Sequence, residues 1–113
     1  MTKQQIRDST DVLFRVGRSG IEMMNYEDAA AVIALFPGDA GTHDLDTCSA
    51  YVHVGQHTCA DLRHVIATTR PATPAEYAAL KRELESAPYR YQLRMLKRTS
   101  RRHLESRRQQ CGL

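Results

Sequence analysis

The segment TPAEYAALKRELES, residues 73–86, decides the fold class because it carries a complete set of helix signals. Thr73 suits the N-cap position, Pro74 suits the first helical position, and Glu76 completes a capping box. The apolar residues that follow recur at i, i+3 and i+7 on one helical face: Tyr77, Leu80 and Leu84. Ala87-Pro88 then ends the helix, because the residue before a proline disfavours helical geometry.

The sequence before this helix predicts strands. Asp11–Val16 (DVLFRV) is rich in β-branched and aromatic residues, and Cys48–Val54 (CSAYVHV) has a similar composition. Ala29–Phe36 (AAAVIALF) has the length of a strand buried on both faces and stops at Pro37-Gly38, although its alanines also suit a helix. Thr58–Thr69 mixes a capping-box pattern with β-branched residues, which predicts one helical turn leading into a short strand.

The sequence after the helix alternates between apolar and polar positions. Over Tyr89–Lys97 the apolar side chains fall on every second residue, which predicts a half-buried strand with a basic outer face. We therefore predict an α+β fold, a small antiparallel or mixed sheet of about four to five strands packed by one main helix over about 74–86. We assign residues 1–98 to a single α+β domain and residues 99–113 to a basic C-terminal arm that is helical or partly disordered.

Composition places the chain among globular proteins. Of its 113 residues, 42% are hydrophobic and 26% are charged, both near the average for folded domains. No apolar run approaches the roughly 20 residues of a membrane span, and the polar N-terminal segment has no signal-peptide pattern. The odd number of cysteines, at positions 48, 59 and 111, is typical of free thiols rather than of a disulfide framework. We therefore expect a cytoplasmic protein without membrane contact.

Charge is distributed unevenly along the chain. Residues 1–80 contain six Lys or Arg against ten Asp or Glu, a net charge of −4, whereas residues 81–113 contain ten against three, a net charge of +7. Arginine presents a planar set of N–H donors that matches phosphate oxygens. The candidate polyanion-binding residues are Arg90, Arg94, Lys97, Arg98, Arg101, Arg102, Arg107 and Arg108.

Three interpretations of this basic segment remain open. It binds nucleic acid or another polyanion without catalysis, it docks as an adaptor or inhibitor on an acidic partner protein, or it docks on the acidic half of its own chain. No zinc-finger, aromatic RNA-binding or KH-type signature is present. Removing the chain from Thr99 onward is expected to abolish polyanion binding and to leave the fold intact, since Leu104 is the one clear apolar anchor beyond that point.

A cluster of histidines and cysteines raises the question of metal or thiol chemistry. The zinc candidates are Cys48, His53, His57 and Cys59, which are residue types that zinc accepts. Their C-x4-H-x3-H-x-C spacing matches no standard zinc framework, and Cys48 and His53 would point to opposite faces of one strand. Cys59 with His57 also supplies the residue types of a thiol enzyme, but no family signature surrounds it. We therefore predict no metal, no cofactor and no catalytic residue, and a metal- or thiol-dependent enzyme ranks third among the functional hypotheses.

The predicted strand over Tyr89–Met95 also offers an interaction surface. It combines tyrosine and arginine, which protein interfaces favour. An exposed sheet edge can pair with a strand of another chain. Homodimerisation through a sheet edge is therefore a further hypothesis.

Overall fold

The computed structural model describes residues 9–17, 32–52 and 56–113, and it has an α+β fold. The strands are β1 (Thr10–Gly17), β2 (Val32–Ala40), β3 (Thr47–Val52), β4 (Gln56–Asp61), β5 (Thr69–Pro71) and β6 (Leu93–Met95). The helices are α1 (Leu62–Thr68), α2 (Pro74–Glu85) and α3 (Arg101–Gln110). The predicted fold class is confirmed, and the described sheet has six strands rather than four to five, because β4 was not predicted: a helical turn was expected to begin at Thr58.

The strands form one sheet in the order β4-β3-β2-β1-β5, and β6 also pairs with β1. Two short strands, β5 and β6, pair with different parts of the same edge of β1. Arg15–Gly17 pairs antiparallel with β5, and Thr10–Val12 pairs parallel with β6. The other pairings of the described strands are antiparallel. The chain therefore returns twice to β1, which places Arg94 beside Asp11.

Alternating side chains give the sheet two buried faces. α2 covers the first face with Leu80 and Leu84, and α1 covers the second face with Leu62. The strand residues of the first face are Val12, Phe14, Val32, Ala34, Phe36, Tyr51 and Leu93. Those of the second face are Leu13, Leu35, Cys48 and Ala50. Because neighbouring residues on β1 and β2 serve opposite faces, a shift of one residue in register would exchange the two sets, so burial fixes the register.

Capping chemistry determines where two of the helices begin. At α2 the Glu76 N–H donates to Thr73 Oγ1 at 3.3 Å, and the Thr73 N–H donates to Glu76 Oε1 at 2.9 Å. Hydrogen bonds from Arg70 lower the pKa of Glu76 to about 2. α1 begins after Asp61, whose Oδ1 accepts the His64 N–H at 3.0 Å. The predicted main helix is present as α2. The helical turn and short strand predicted within Thr58–Thr69 are shifted along the chain, because residues 58–61 belong to β4, α1 begins at Leu62 and β5 begins at Thr69.

The predicted strands differ from the observed ones in their bounds. β2 continues past Pro37 to Ala40 through a register shift after Phe36, and this irregularity accommodates a proline that cannot donate to the ladder. Residues 29–31 and 53–54 of the predicted strands lie outside the described residues. The strand predicted over residues 89–97 is confined to β6, because Arg90 adopts a φ of 54° and turns the chain there.

The C-terminal basic segment forms α3, which packs against β2. Its anchors are polar: His103 is 3% exposed and Arg107 is 6% exposed. Arg107 Nε donates to the Leu45 carbonyl at 3.0 Å, and Arg107 Nη1 donates to the Pro37 carbonyl at 2.6 Å. These carbonyls lie at the register shift of β2 and in the loop that follows it, where the strand ladder provides no donor for them. The Arg107 guanidinium provides the hydrogen-bond donors instead.

Further side chains of α3 hold the same part of the sheet. Ser106 Oγ donates to the Gly38 carbonyl at 2.8 Å, and Gln110 Nε2 donates to it at 2.7 Å. Leu104, the one anchor that the sequence suggested, is half-buried. Because polar side chains supply much of the docking, we now expect removal of the chain from Thr99 onward to destabilise the fold, against the expectation from sequence.

The loop between β2 and β3 depends on a glycine. A Cβ added to Gly41 would lie 2.7 Å from the Cys48 carbonyl oxygen and 2.7 Å from Cys59 Cβ, and neither atom can rotate away. We expect Gly41→Ala to lower the free energy of unfolding by about 1–3 kcal/mol, measured by urea denaturation. Gly38→Ala is the control, because its Cβ would meet only side-chain atoms at 3.7 Å or more. Equal losses in the two variants would contradict the steric argument.

Candidate functional site

The structure places the eight predicted basic residues in different environments. Arg107 is buried in the α3 anchor, so its guanidinium is engaged by the protein itself. Arg94 is half-buried on β6, and Arg90 is exposed in the turn that precedes β6. The other five are exposed on α3 and on the segment just before it, and we call them the basic face: Lys97, Arg98, Arg101, Arg102 and Arg108.

The way α3 docks determines which cations reach solvent. A helix turns once in 3.6 residues, so Arg101, Glu105 and Arg108 share one side, opposite the buried His103 and Arg107. Arg102 lies at the margin of the outer side and is paired with an aspartate. Within the described part of the chain, no ion pair involves the other members of the basic face: Lys97, Arg98, Arg101 and Arg108.

The basic face conflicts with the electrostatics of its own helix. The N-terminus of a helix is the positive end of the helix dipole, where acidic residues are favoured. α3 has no acidic residue in its first turn, and Arg101 and Arg102 occupy its first positions. A cation there is unfavourable by about 0.3–1 kcal/mol at low ionic strength. Unfavourable local electrostatics of this kind are typical of binding sites. An anion bound at the N-terminal end of α3 would offset the repulsion between the arginines and the helix dipole.

Asp11 on β1 gathers positive side chains beside the basic face. Its Oδ1 lies 3.0 Å from Arg94 Nε, and its Oδ2 lies 3.1 Å from Arg102 Nη2 and 2.8 Å from His103 Nε2. His103 Nδ1 accepts the Ser100 N–H at 3.0 Å, so Nε2 carries the hydrogen that is donated to Asp11. Asp11 therefore ties β6 and α3 to β1 while compensating only part of the arginine charge.

A polar cleft of about 240 Å³ opens beside this cluster. Two carboxylates and two guanidinium groups supply charge to its lining, and Phe36 supplies an apolar wall; the charged residues are Asp11, Asp39, Arg94 and Arg102. Asp39 is exposed overall, and the partial burial of its carboxyl group raises its pKa. The cleft connects the basic face to the first face of the sheet, because Phe36 belongs to the core under α2.

A cluster of aromatic rings, which was not predicted from the sequence, lies next to this cleft. Phe36 stacks on Tyr91 with ring centroids 5.3 Å apart, and His57 lies 4.9 Å from Tyr51 and 5.1 Å from Tyr89. The β3–β4 register brings the rings together by placing His57 opposite Tyr51. The alternation of Tyr89 and Tyr91 was the signal available in the sequence, but it gave no indication of partners more than thirty positions away.

The zinc candidates do not come together on one side of the sheet. Cys48 pairs with Ala60 and Ser49 pairs with Cys59, so the side chains of Cys48 and Cys59 point to opposite faces. His57 shares a face with Cys59, but its ring packs among tyrosines and its Nε2 lies 3.0 Å from the Tyr91 hydroxyl. His53 lies outside the described residues.

The thiols also differ in reactivity. Burial raises the pKa of the Cys48 thiol to about 11, so at neutral pH it is protonated and is a poor nucleophile and metal ligand. Cys59 is exposed on β4, while Asp61, the nearest carboxylate along the chain, caps α1. Among the residues that the structure describes, no group of three or more His, Cys, Asp or Glu is placed to hold a metal ion.

Comparison of the chain with protein-family models, curated protein sequences and solved structures finds no match. Separately, no helix in the described ranges has the length and apolar character needed to cross a membrane. The basic face, the cleft and the aromatic rings are the candidate functional features of the described residues.

Proposed function

We propose that this protein is a non-enzymatic binding protein whose basic face engages nucleic acid. The observation that carries the proposal is a set of exposed, mostly unpaired cations on a helix fixed to the sheet by buried polar anchors. Because α3 is fixed by its inner side, the outer arginines are presented without a separate folding step, which favours binding. Arg107 belongs to the anchor and is left out of the proposed contact surface, whereas Arg90 and Arg94 flank it.

The chemistry of the basic face suits a phosphate backbone. Arg101 and Arg108 lie about 10 Å apart along the helix axis, a spacing that spans more than one phosphate of a nucleic-acid strand. Guanidinium groups bind phosphate oxygens in a bidentate way, and each neutralised phosphate releases counterions.

The cytoplasm is the expected location, because Cys48, Cys59 and Cys111 are free thiols.

The proposal predicts salt-dependent binding. We expect the protein to bind a fluorescently labelled oligonucleotide in an anisotropy titration, with an association constant that falls as salt rises. If each member of the basic face contacts one phosphate, the slope of log K against log salt is roughly −3 to −4 for a single strand. Arg101→Gln is expected to make this slope less steep by about 0.7.

Arg82→Gln is the matched control, because Arg82 is exposed on α2 and is not a member of the basic face. The control should change neither the slope nor the affinity at a given salt concentration. Absence of binding at low ionic strength would overturn the proposal. Tight capture of one acidic protein together with weak oligonucleotide binding would favour the adaptor or inhibitor interpretation instead.

Assembly of the protein through a sheet edge stays a prediction. β4 ends one side of the sheet, and β6 is a short edge strand on the other side. A homodimer formed there would present two copies of the basic face, which would raise the affinity for a long nucleic acid through multivalency. Sedimentation of the free protein measures this directly.

A further inference from the structure

The aromatic cluster exposes part of its ring surface. His57 is exposed, and Tyr89 and Tyr91 are half-buried. The rings of Tyr89 and Tyr91 are nearly parallel, with an interplanar angle of 20° and centroids 6.4 Å apart. We call these three side chains the aromatic shelf: His57, Tyr89 and Tyr91.

The shelf is supported by buried side chains beneath it. Phe36 is 1% exposed and stacks on Tyr91 at an interplanar angle of 25°. Tyr51 is also 1% exposed, makes an edge contact to Tyr89 at 5.3 Å, and donates its hydroxyl hydrogen to Glu83. The burial of Tyr51 raises its pKa, and the hydrogen bond to Glu83 adds to that effect. A shelf fixed in this way can bind a flat ring without first ordering its own side chains.

The shelf adjoins the basic face. Phe36 supports Tyr91 from one side and lines the cleft that also contains Arg94 and Arg102 on the other. Seven residue steps separate Tyr91 from Arg98, so their Cα atoms are at most about 25 Å apart even with the chain fully extended. Arg90 lies between Tyr89 and Tyr91 in the chain, is exposed, and has a left-handed backbone conformation that is uncommon for residues other than glycine.

We propose that the aromatic shelf stacks on the bases of single-stranded nucleic acid while the basic face binds the phosphates of the same strand. This inference rests on the proposed function and specifies its ligand. Bases of a duplex are stacked on each other and are inaccessible to protein rings, whereas unpaired bases present their faces. Aromatic rings beside a positively charged surface are the usual arrangement for binding single strands.

Asp39 adds a means of distinguishing bases. It lines the cleft together with Phe36, and Phe36 stacks on Tyr91 of the shelf. Within the described residues no hydrogen bond or ion pair involves the Asp39 side chain. A carboxylate at this place can accept a hydrogen bond from the amino group of cytosine, as carboxylates do in base recognition. Strands of cytosine should therefore bind more tightly than strands of thymine or uracil.

The test compares His57→Ala with wild-type protein on single-stranded and duplex oligonucleotides of equal length. We expect His57→Ala to weaken single-strand binding by roughly tenfold and to leave the slope of the salt dependence unchanged, because stacking releases no counterions. His64→Ala is the matched control, since His64 is exposed on α1, the helix that covers the other face of the sheet. His57→Trp, which offers a larger ring, should restore or increase the affinity.

A spectroscopic measurement reports on the shelf itself. The chain contains five tyrosines and no tryptophan, so its intrinsic fluorescence comes from tyrosine. Single-stranded DNA and RNA should both quench this emission, and the comparison between them shows which sugar the site prefers. Inorganic polyphosphate, which offers charge without bases, should compete for the basic face without quenching.

The outcomes separate the two proposals. Equal affinity for duplex and single strand, together with no effect of His57→Ala, would contradict base stacking on the shelf. The proposal that the basic face binds nucleic acid would be unaffected by that result. Absence of binding to any oligonucleotide at low salt would overturn both. Loss of single-strand binding in His57→Ala, with quenching in wild-type protein and duplex binding retained, supports the shelf.

Discussion

Arg107→Leu is expected to lower the free energy of unfolding by about 3 kcal/mol. The substitution removes the donors to the Pro37 and Leu45 carbonyls, which Arg107 holds at 2.6 and 3.0 Å. A hydrogen bond from a charged donor contributes about 1.5–3 kcal/mol, and buried acceptors left without a donor add a desolvation penalty. Leucine retains an apolar side chain against the sheet, so the loss is assigned to the polar anchor. Urea denaturation followed by circular dichroism measures the difference.

Arg108→Leu is the control for this experiment. Arg108 is the next residue of the same helix and is exposed, and its substitution should change the free energy of unfolding by no more than about 0.5 kcal/mol. Similar losses in the two variants would mean that arginine in general, rather than the buried guanidinium, stabilises α3. Stability of Arg107→Leu equal to that of the wild-type protein would contradict the anchoring role.

The double substitution Arg101→Glu/Arg108→Glu is expected to weaken oligonucleotide binding by roughly a hundredfold or more at low salt. Each change removes a cation from the outer side of α3 and adds an anion that repels phosphate. The fold should be little affected, because glutamate is favourable at the N-terminal end of a helix and unfavourable at the C-terminal end, so the two effects oppose each other. Fluorescence anisotropy measures the affinity, and circular dichroism verifies the fold.

Arg63→Glu/Arg82→Glu is the matched control for the double substitution. Both residues are exposed, on α1 and α2, and the control changes the net charge of the protein by the same amount. If the two double variants lose affinity equally, binding depends on total charge rather than on the basic face. If neither loses affinity, the basic face does not contact the oligonucleotide.

Local signals in the sequence accounted for much of the fold. The Thr73 capping box and the spacing of Leu80 and Leu84 depend on residues within a few positions of each other, so they can be recognised from the sequence. The capping-box pattern at Thr58 was wrong, because Thr58 lies in β4 and Asp61 is the N-cap of α1. The Tyr89–Lys97 strand was overextended because period-two alternation does not reveal a left-handed residue such as Arg90. Sheet order and the pairing of β6 with β1 depend on contacts over long separations, which no local pattern encodes.

The candidate site was only partly predictable for a related reason. A run of arginines is visible in the sequence, but which of them are buried depends on how the helix docks. Arg107 is an anchor and Arg108 is exposed, although they are adjacent and identical. The aromatic shelf depends on the β3–β4 register that places His57 opposite Tyr51. The supporting contact between Phe36 and Tyr91 joins segments that only the folded sheet brings together.

The double pairing of β1 has a consequence for the order of folding. The first half of β1 pairs with β6, and Asp11 of β1 is hydrogen-bonded to His103. Both partners come late in the chain, and His103 follows Asp11 by 92 positions. Closing so long a loop is entropically costly, and chains rich in distant contacts fold slowly. During synthesis, β1 therefore emerges long before the residues that complete its edge. β1 therefore reaches its final state only after α3 has been made.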